Sequence, residues 1–160
     1  MDVVNKTYGD KVRIRVCGIC VQNDSILLVN HKGLNSENEF WSPPGGGMIF
    51  GENAEKTLNR EIKEETGLTC RVKEFLFVNE YYKNPLHAIE LFFAIDLNDF
   101  EPKIGFDPEH DQNEQIIQDV RFVTFKELSE LPISKKHTIL HKNLSENKLL
   151  NLRGYFKLWQ

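Results

Sequence analysis

Apolar and polar residues alternate over residues 12–21, VRIRVCGICV, which predicts a strand with Arg13 and Arg15 on one side. Asn23-Asp24 reads as a turn, and Ser25 to Asn30 as the hairpin partner of that strand. Phe40-Trp41-Ser42 leads into residues 43–51, PPGGGMIFG, where two prolines lack amide donors and the glycines tolerate backbone angles that other residues avoid. That composition predicts a loop able to bring bare backbone close to a ligand. From Asn53 the period changes. Asn53 is a good N-cap, Ala54, Leu58 and Ile62 recur every four residues, and Gly67 stands where a left-handed cap ends a helix. The pattern predicts a helix over 54–66.

Farther along, Arg71 to Tyr82 and His87 to Asp96 read as a long antiparallel pair joined at Asn84-Pro85. Residues 99–115 are polar and read as a long loop, which in a compact domain often carries function. Asp119 to Thr124 reads as a strand, Lys126 to Glu130 as a short helix, and YFKLW at the end as a terminal strand or docking segment. Pro132 can start a helix with Ile133, Ile139, Leu140 and Leu144 as its inward stripe. Mixed strands with two main helices point to an α+β fold or an α/β/α sandwich.

A length of 160 residues with 40% hydrophobic content suits one domain with a proper core, and no composition shift marks a linker. The net charge of −4 argues against general nucleic-acid binding. With neither an apolar leader nor an apolar run of membrane-spanning length, the expectation is a cytoplasmic protein. Cys17, Cys20 and Cys70 form no metal-ligand array, and CGIC reads as small apolar residues in a strand rather than as a redox or zinc motif. His137 and His141 at i,i+4 lack an acidic partner fixed by sequence, so they read as ordinary satisfied residues.

The predicted helix carries the chemistry. At roughly 100° per residue, Glu61 and Glu65 point within about 20° of Ala54, and Glu64 lies about 80° to one side. Three carboxylates thus crowd one edge of an apolar stripe, an arrangement that costs energy unless something positive faces it. Mg²⁺ is a natural partner, since it takes oxygen ligands and shares them among carboxylates, waters and phosphates. The glycine loop supplies the other wall.

The stretch from Gly46 to Leu68 resembles the signature of the Nudix (MutT-like) hydrolases, GX5EX7REUXEEXGU with U a bulky aliphatic residue. Gly46, Glu52, Arg60, Glu61, Ile62, Glu64, Glu65, Gly67 and Leu68 meet every specified position. The resemblance implies a single Nudix domain over 1–160, with its box at 46–68 and an α/β/α sandwich built on a mixed β-sheet. It implies Mg²⁺ or Mn²⁺ held by Glu61, Glu64, Glu65 and the Gly45 carbonyl, with Glu61 also able to act as base toward water. Arg60 and Glu52 would support the loop and orient a ligand carboxylate, which is compatible with their reading as a plain salt bridge.

Outside the box, Glu114 stands about where many such enzymes carry a further acidic ligand or base, although Glu109 and Asp111 share its loop and a solvated role fits each of them. Arg13, Arg15, His31 and Lys32, with the backbone of Gly46 and Gly47, are candidates for binding substrate phosphates, against ordinary surface charge. Phe40, Trp41, Tyr81 and Tyr82 could stack on a base, against the more common core role of aromatic residues on strands. The expected activity is cleavage of a pyrophosphate bond in a nucleoside diphosphate linked to another moiety. Removal of a 5′ diphosphate from RNA and a sensor that binds a nucleotide sugar without turnover are the alternatives. The expected partner is a small-molecule nucleotide, with neither membrane nor nucleic acid, and with room for a homodimer.

Overall fold

The computed structural model describes residues 2–99, 101–105, 115–142 and 145–157. Its centre is a five-stranded mixed sheet in the order β5 (Gly45–Gly47), β1 (Lys11–Ile19), β7 (Leu86–Leu97), β6 (Cys70–Lys83) and β9 (Gly154–Lys157). The β6–β7 pair is antiparallel, as the two long apolar runs predict, whereas β1 runs parallel to β7 and β9 parallel to β6. A second sheet joins β2 (Val21–Gln22), β3 (Ser25–His31), β4 (Phe40–Ser42) and β8 (Ile117–Thr124), with β3 antiparallel to both β4 and β8.

The longest helix, α2 (Ala54–Thr66), forms for local reasons that the sequence announces. The Asn53 side chain accepts from Lys56 N at 2.8 Å, and Gly67, at φ 71°, donates its N–H to Lys63 O at 3.0 Å. Leu58 and Ile62 are fully buried against Val16, Leu27 and Ile95, each stabilising the packing by about 2 kcal/mol. A second core lies around Phe77, Phe92, Ile26 and Leu28, covered by Ile139, Leu140 and, from α4 (Glu146–Leu150), Leu149. Helical elements on both sides of a mixed sheet make the α+β sandwich. No helix among the described residues is long and apolar enough to cross a membrane.

Four expectations change. The glycine loop contains a strand, because Gly45 to Gly47 pair antiparallel with Arg15 to Cys17. A Cβ on Gly45 would lie 2.2 Å from Val16 O, so glycine is what lets β5 sit this close to β1. The hairpin of residues 12–21 with 25–30 shrinks to Val21–Gln22 against Ser25–Ile26, since the rest of β1 pairs with β7. The helix expected after Pro132 is two 3₁₀ turns, Ile133–Lys135 and Thr138–Leu140, separated by extended Lys136; Ile133 is exposed and Leu144 lies outside the described residues. Two short helices carried no clear apolar period and were not expected, α1 (Asp2–Tyr8) and α4. The expected short helix near Lys126 is α3 (Phe125–Glu130), closed by a Thr124–Glu127 capping box.

Candidate active site

Strand β5 and helix α2 are only a few residues apart in sequence and face each other in space. The Glu61 carboxyl lies directly against Gly46, where a Cβ would stand 2.3 Å from its Cδ. Glu65 Oε2 accepts the Gly45 N–H at 2.8 Å. Both side chains are buried, and both line a cavity of about 780 Å³ together with Gly45, Gly46 and Gly47. Burial is the main force pushing the Glu61 carboxyl up, to about 7, and Glu65 beside it adds to the shift while Arg60 opposes it.

Arg60 organises this wall. Its Nη1 donates to Glu61 Oε1 at 2.6 Å and to Glu64 Oε2 at 3.2 Å, and its Nη2 donates to Gly47 O at 3.0 Å. Its Nε and Nη2 also grip Glu52 in a forked pair at 3.1 and 3.0 Å. Hydrogen bonding to Arg60 holds the Glu52 carboxyl down at about 2. The expected salt bridge between loop and helix is therefore present, and it also fixes two of the three clustered glutamates.

The donor set fits a divalent cation that takes oxygen ligands. Two buried carboxylates and the Gly45 carbonyl share one wall, and Glu61 is driven toward neutrality by burial and by its neighbouring acid. Among the described residues, no three acidic or histidine side chains already meet as a finished coordination sphere. Glu61 and Glu64 are instead turned to Arg60.

The expected substrate-binding residues separate. Arg13 and Arg15 line the cavity: Arg15 Nη2 donates to Gly45 O at 3.1 Å, and the Arg13 guanidinium lies 3.8 Å from the centre of the Tyr8 ring. His31 also lines it, buried, with Nε2 3.7 Å from Glu65 Oε1. Lys32 is exposed and does not line it. Phe40 and Tyr81 face the cavity, Trp41 is core, and Tyr82 is partly exposed away from it. Glu114, with Glu109 and Asp111, lies outside the described residues. Cys17 and Cys20 are free and buried, and burial pushes both thiols up to about 12, as suits packed strand residues. His137 and His141 do not form a pair; they bond separately, to Glu90 and to Lys136 O.

Sequence reasoning missed the part of the cavity wall that adjoins the glutamates on the central sheet. There Glu90, fully enclosed on β7, accepts from Asn79 Nδ2 at 2.9 Å and pairs with His137 Nε2 at 3.0 Å, with Arg15 Nε 3.7 Å away. Burial raises the Glu90 carboxyl, but His137, Arg15 and Asn79 outweigh it and hold it below the usual range. The signal was an acid at an inward position, since Ala88, Glu90 and Phe92 share a face in HAIELFFAID. Also missed was Gly105, whose N–H donates to Glu65 O at 2.9 Å and whose Cβ would overlap Glu64 O at 1.7 Å.

Comparison with known proteins agrees with this geometry. The family pattern described as NUDIX domain matches residues 11–144. An ADP-ribose pyrophosphatase of Methanocaldococcus jannaschii is 37% identical over 99 residues, covering 59% of this chain and 56% of that protein. An RNA pyrophosphohydrolase of Sphingopyxis alaskensis is 41% identical over 61 residues, covering 37% of this chain and 38% of that protein. The chain thus spans about half the length, or less, of these curated relatives. A solved NUDIX hydrolase from Nitrosomonas europaea superposes with a TM-score of 0.68 at 18% identity, covering 83% of this chain and 86% of that one, which shows a shared fold.

Proposed function

This chain belongs to the NUDIX domain family, and from that premise we propose that it is a metal-dependent hydrolase of a pyrophosphate bond in a small nucleoside diphosphate derivative. The observation that carries the reading is the single wall on which Glu61 and Glu65 meet the backbone of Gly45 and Gly46 inside a cavity of about 780 Å³.

Glu61, Glu64, Glu65 and the Gly45 carbonyl would hold Mg²⁺ or Mn²⁺. Such an ion, when bound, neutralises phosphate charge and makes a water more acidic. The chain's own residues supply the rest. Arg60 holds Glu61 and Glu64 on one side of the helix and is itself held by Glu52. Arg13 and Arg15 offer positive charge to the diphosphate from the adjoining strand. His31, beside Glu65, offers a ring nitrogen to a phosphate oxygen. Glu61 takes the proton of the attacking water, since its carboxyl lies at the glycine backbone where a diphosphate would enter.

The test is a panel of nucleoside diphosphate sugars, dinucleoside polyphosphates and nucleoside triphosphates incubated with Mg²⁺ or Mn²⁺, with product identification. Release of a nucleoside monophosphate is the expected result, and no phosphate-containing product from any member would sink the reading. Removal of a 5′ diphosphate from RNA is the second reading, favoured by the relative of that activity. A 5′-triphosphorylated RNA in the same panel separates the two.

A further inference from the structure

Arg15 stands between two sets of carboxylates, and one of them has no part in the cation site described above. Across the sheet, Gly47 on β5, Arg15 on β1, Glu90 on β7 and Asn79 on β6 are neighbours in one row, with adjoining strands about 4.8 Å apart. Toward β5, Arg15 Nη2 donates to Gly45 O at 3.1 Å, and the N–H of that same glycine is bonded to Glu65. Toward β7, Arg15 Nε lies 3.7 Å from Glu90 Oε1, and among the described residues Glu90 is the one carboxylate paired with Arg15. Burial works against the Arg15 charge, and Cys17, Glu90, Glu65 and Glu61 outweigh it, with Glu90 the strongest of the carboxylates.

Glu90 is fixed in place. Asn79 Nδ2 donates to its Oε2 at 2.9 Å, and His137 Nε2 lies 3.0 Å from the same oxygen. His137 is in turn held by the Ile139 N–H that its Nδ1 accepts. An enclosed carboxylate costs desolvation energy that a neutral amide of the same shape avoids. A glutamine oxygen can accept from Asn79 and His137 just as well, so the group that requires a negative charge here is Arg15. Without that charge, the carboxylates left acting on Arg15 are Glu65 and Glu61. A guanidinium drawn onto them competes with a divalent cation for the same oxygens.

We propose that Glu90 is a positioning residue for the cation site: its buried charge holds the Arg15 guanidinium on the sheet side, off Glu61 and Glu65, and so leaves their oxygens to the cation. This rests on the metal-dependent reading above and adds to it a residue that acts on the ion only through Arg15. The bond from Arg15 to Gly45 O is compatible with it, since a carbonyl oxygen has two lone pairs and can serve both partners.

The test is Mn²⁺ binding, read from the electron paramagnetic resonance signal of the free ion, to four forms of the chain: wild type, Glu90→Gln, Arg15→Met and the double variant. Glu90→Gln is expected to weaken Mn²⁺ binding about fivefold or more when Arg15 is present, and to change it by less than about twofold once Arg15 is methionine. A loss that persists in the Arg15→Met background belongs to the charge or packing of Glu90 itself and overturns the proposal, as does the absence of any loss when Arg15 is present. If Glu90→Gln does not fold by far-ultraviolet circular dichroism, Glu90→Asp takes its place, because it draws the carboxylate back by one methylene. Its expected loss is about two- to threefold, again confined to the background that keeps Arg15. A wild-type chain that binds Mn²⁺ without the Arg15-dependent loss removes the positioning role alone, whereas one that binds no Mn²⁺ removes the metal-dependent reading beneath it.

Discussion

The two walls of the cavity are built in opposite ways. The glutamate wall is local: β5 and α2 supply Gly45, Gly46, Glu61 and Glu65, and Arg60 closes it onto Glu52 through hydrogen bonds spanning at most twenty residues. The adjoining wall is assembled from far apart, with Arg13 and Arg15 on β1, Asn79 and Tyr81 on β6, Ala88 and Glu90 on β7, and His137 at the start of a 3₁₀ turn. A compact segment can be inherited as a unit and keep its chemistry. A wall drawn from four elements can change what it recognises without disturbing that unit. Under the function proposed above, the difference leads to the expectation that the first wall governs the rate of bond cleavage and the second governs which molecule is held.

The sharpest test of that division is Glu65→Gln, which keeps the shape of the side chain and removes its charge. We expect kcat to fall about 10²–10⁴-fold with KM little changed; a rise in KM with kcat intact would place Glu65 on the recognition side. Next comes Gly46→Ala, whose methyl group meets the Glu61 carboxyl rather than backbone. That carboxyl can swing aside, so the expected result is a drop in kcat of about 10–100-fold with the melting temperature nearly unchanged. The same change at Gly45 meets Val16 O and a φ of 149°, and there the fold itself should lose stability.

On the adjoining wall, His137→Ala should raise KM about five- to tenfold and leave kcat alone. It should also cost about 1–3 kcal/mol in denaturant unfolding, because Glu90 stays buried with one partner fewer. A kcat loss as large as that of Glu65→Gln would erase the distinction between the walls.

The smallest effect concerns pH. Hydrogen bonding to Arg60 lowers the Glu52 carboxyl from 4.5 to about 2, so its stabilising pairing is fully present above pH 4.5 and is lost as pH falls through about 2. Amide protection in residues 48–53, taken relative to intrinsic exchange at each pH, should fall as pH drops through that window. In Glu52→Gln the acid dependence should vanish.

The sequence made the first wall legible because its determinants are short-range. Cap, period and terminating glycine define α2, and spacing alone brings Glu61 and Glu65 to one side of it. The paired β6 and β7 were readable from two long apolar runs with a turn between them. What escaped depends on distant partners. Nothing in VRIRVCGICV says that β1 runs parallel to a strand some seventy residues later, and only that register brings Arg15 level with Glu90. Gly45 to Gly47 have little strand propensity, yet they pair with β1, and only at Gly45 does the β1 backbone itself leave no room for a side chain. Ile139 and Leu140 are adjacent, not periodic, which suits a 3₁₀ turn anchored by core packing rather than the helix that Pro132 suggested.

Arg60 gives this chain a genetic property as well as a structural one. One guanidinium serves the Glu52, Glu61 and Glu64 side chains as well as the backbone carbonyl of residue 47, so positions 52, 60, 61 and 64 cannot vary independently. Once Arg60 is lost, later loss of Glu52 removes little that is still in place, and effects that are large singly become small in combination. Descendants of this sequence would then find the four positions locked together, free to drift only by abandoning the whole set at once.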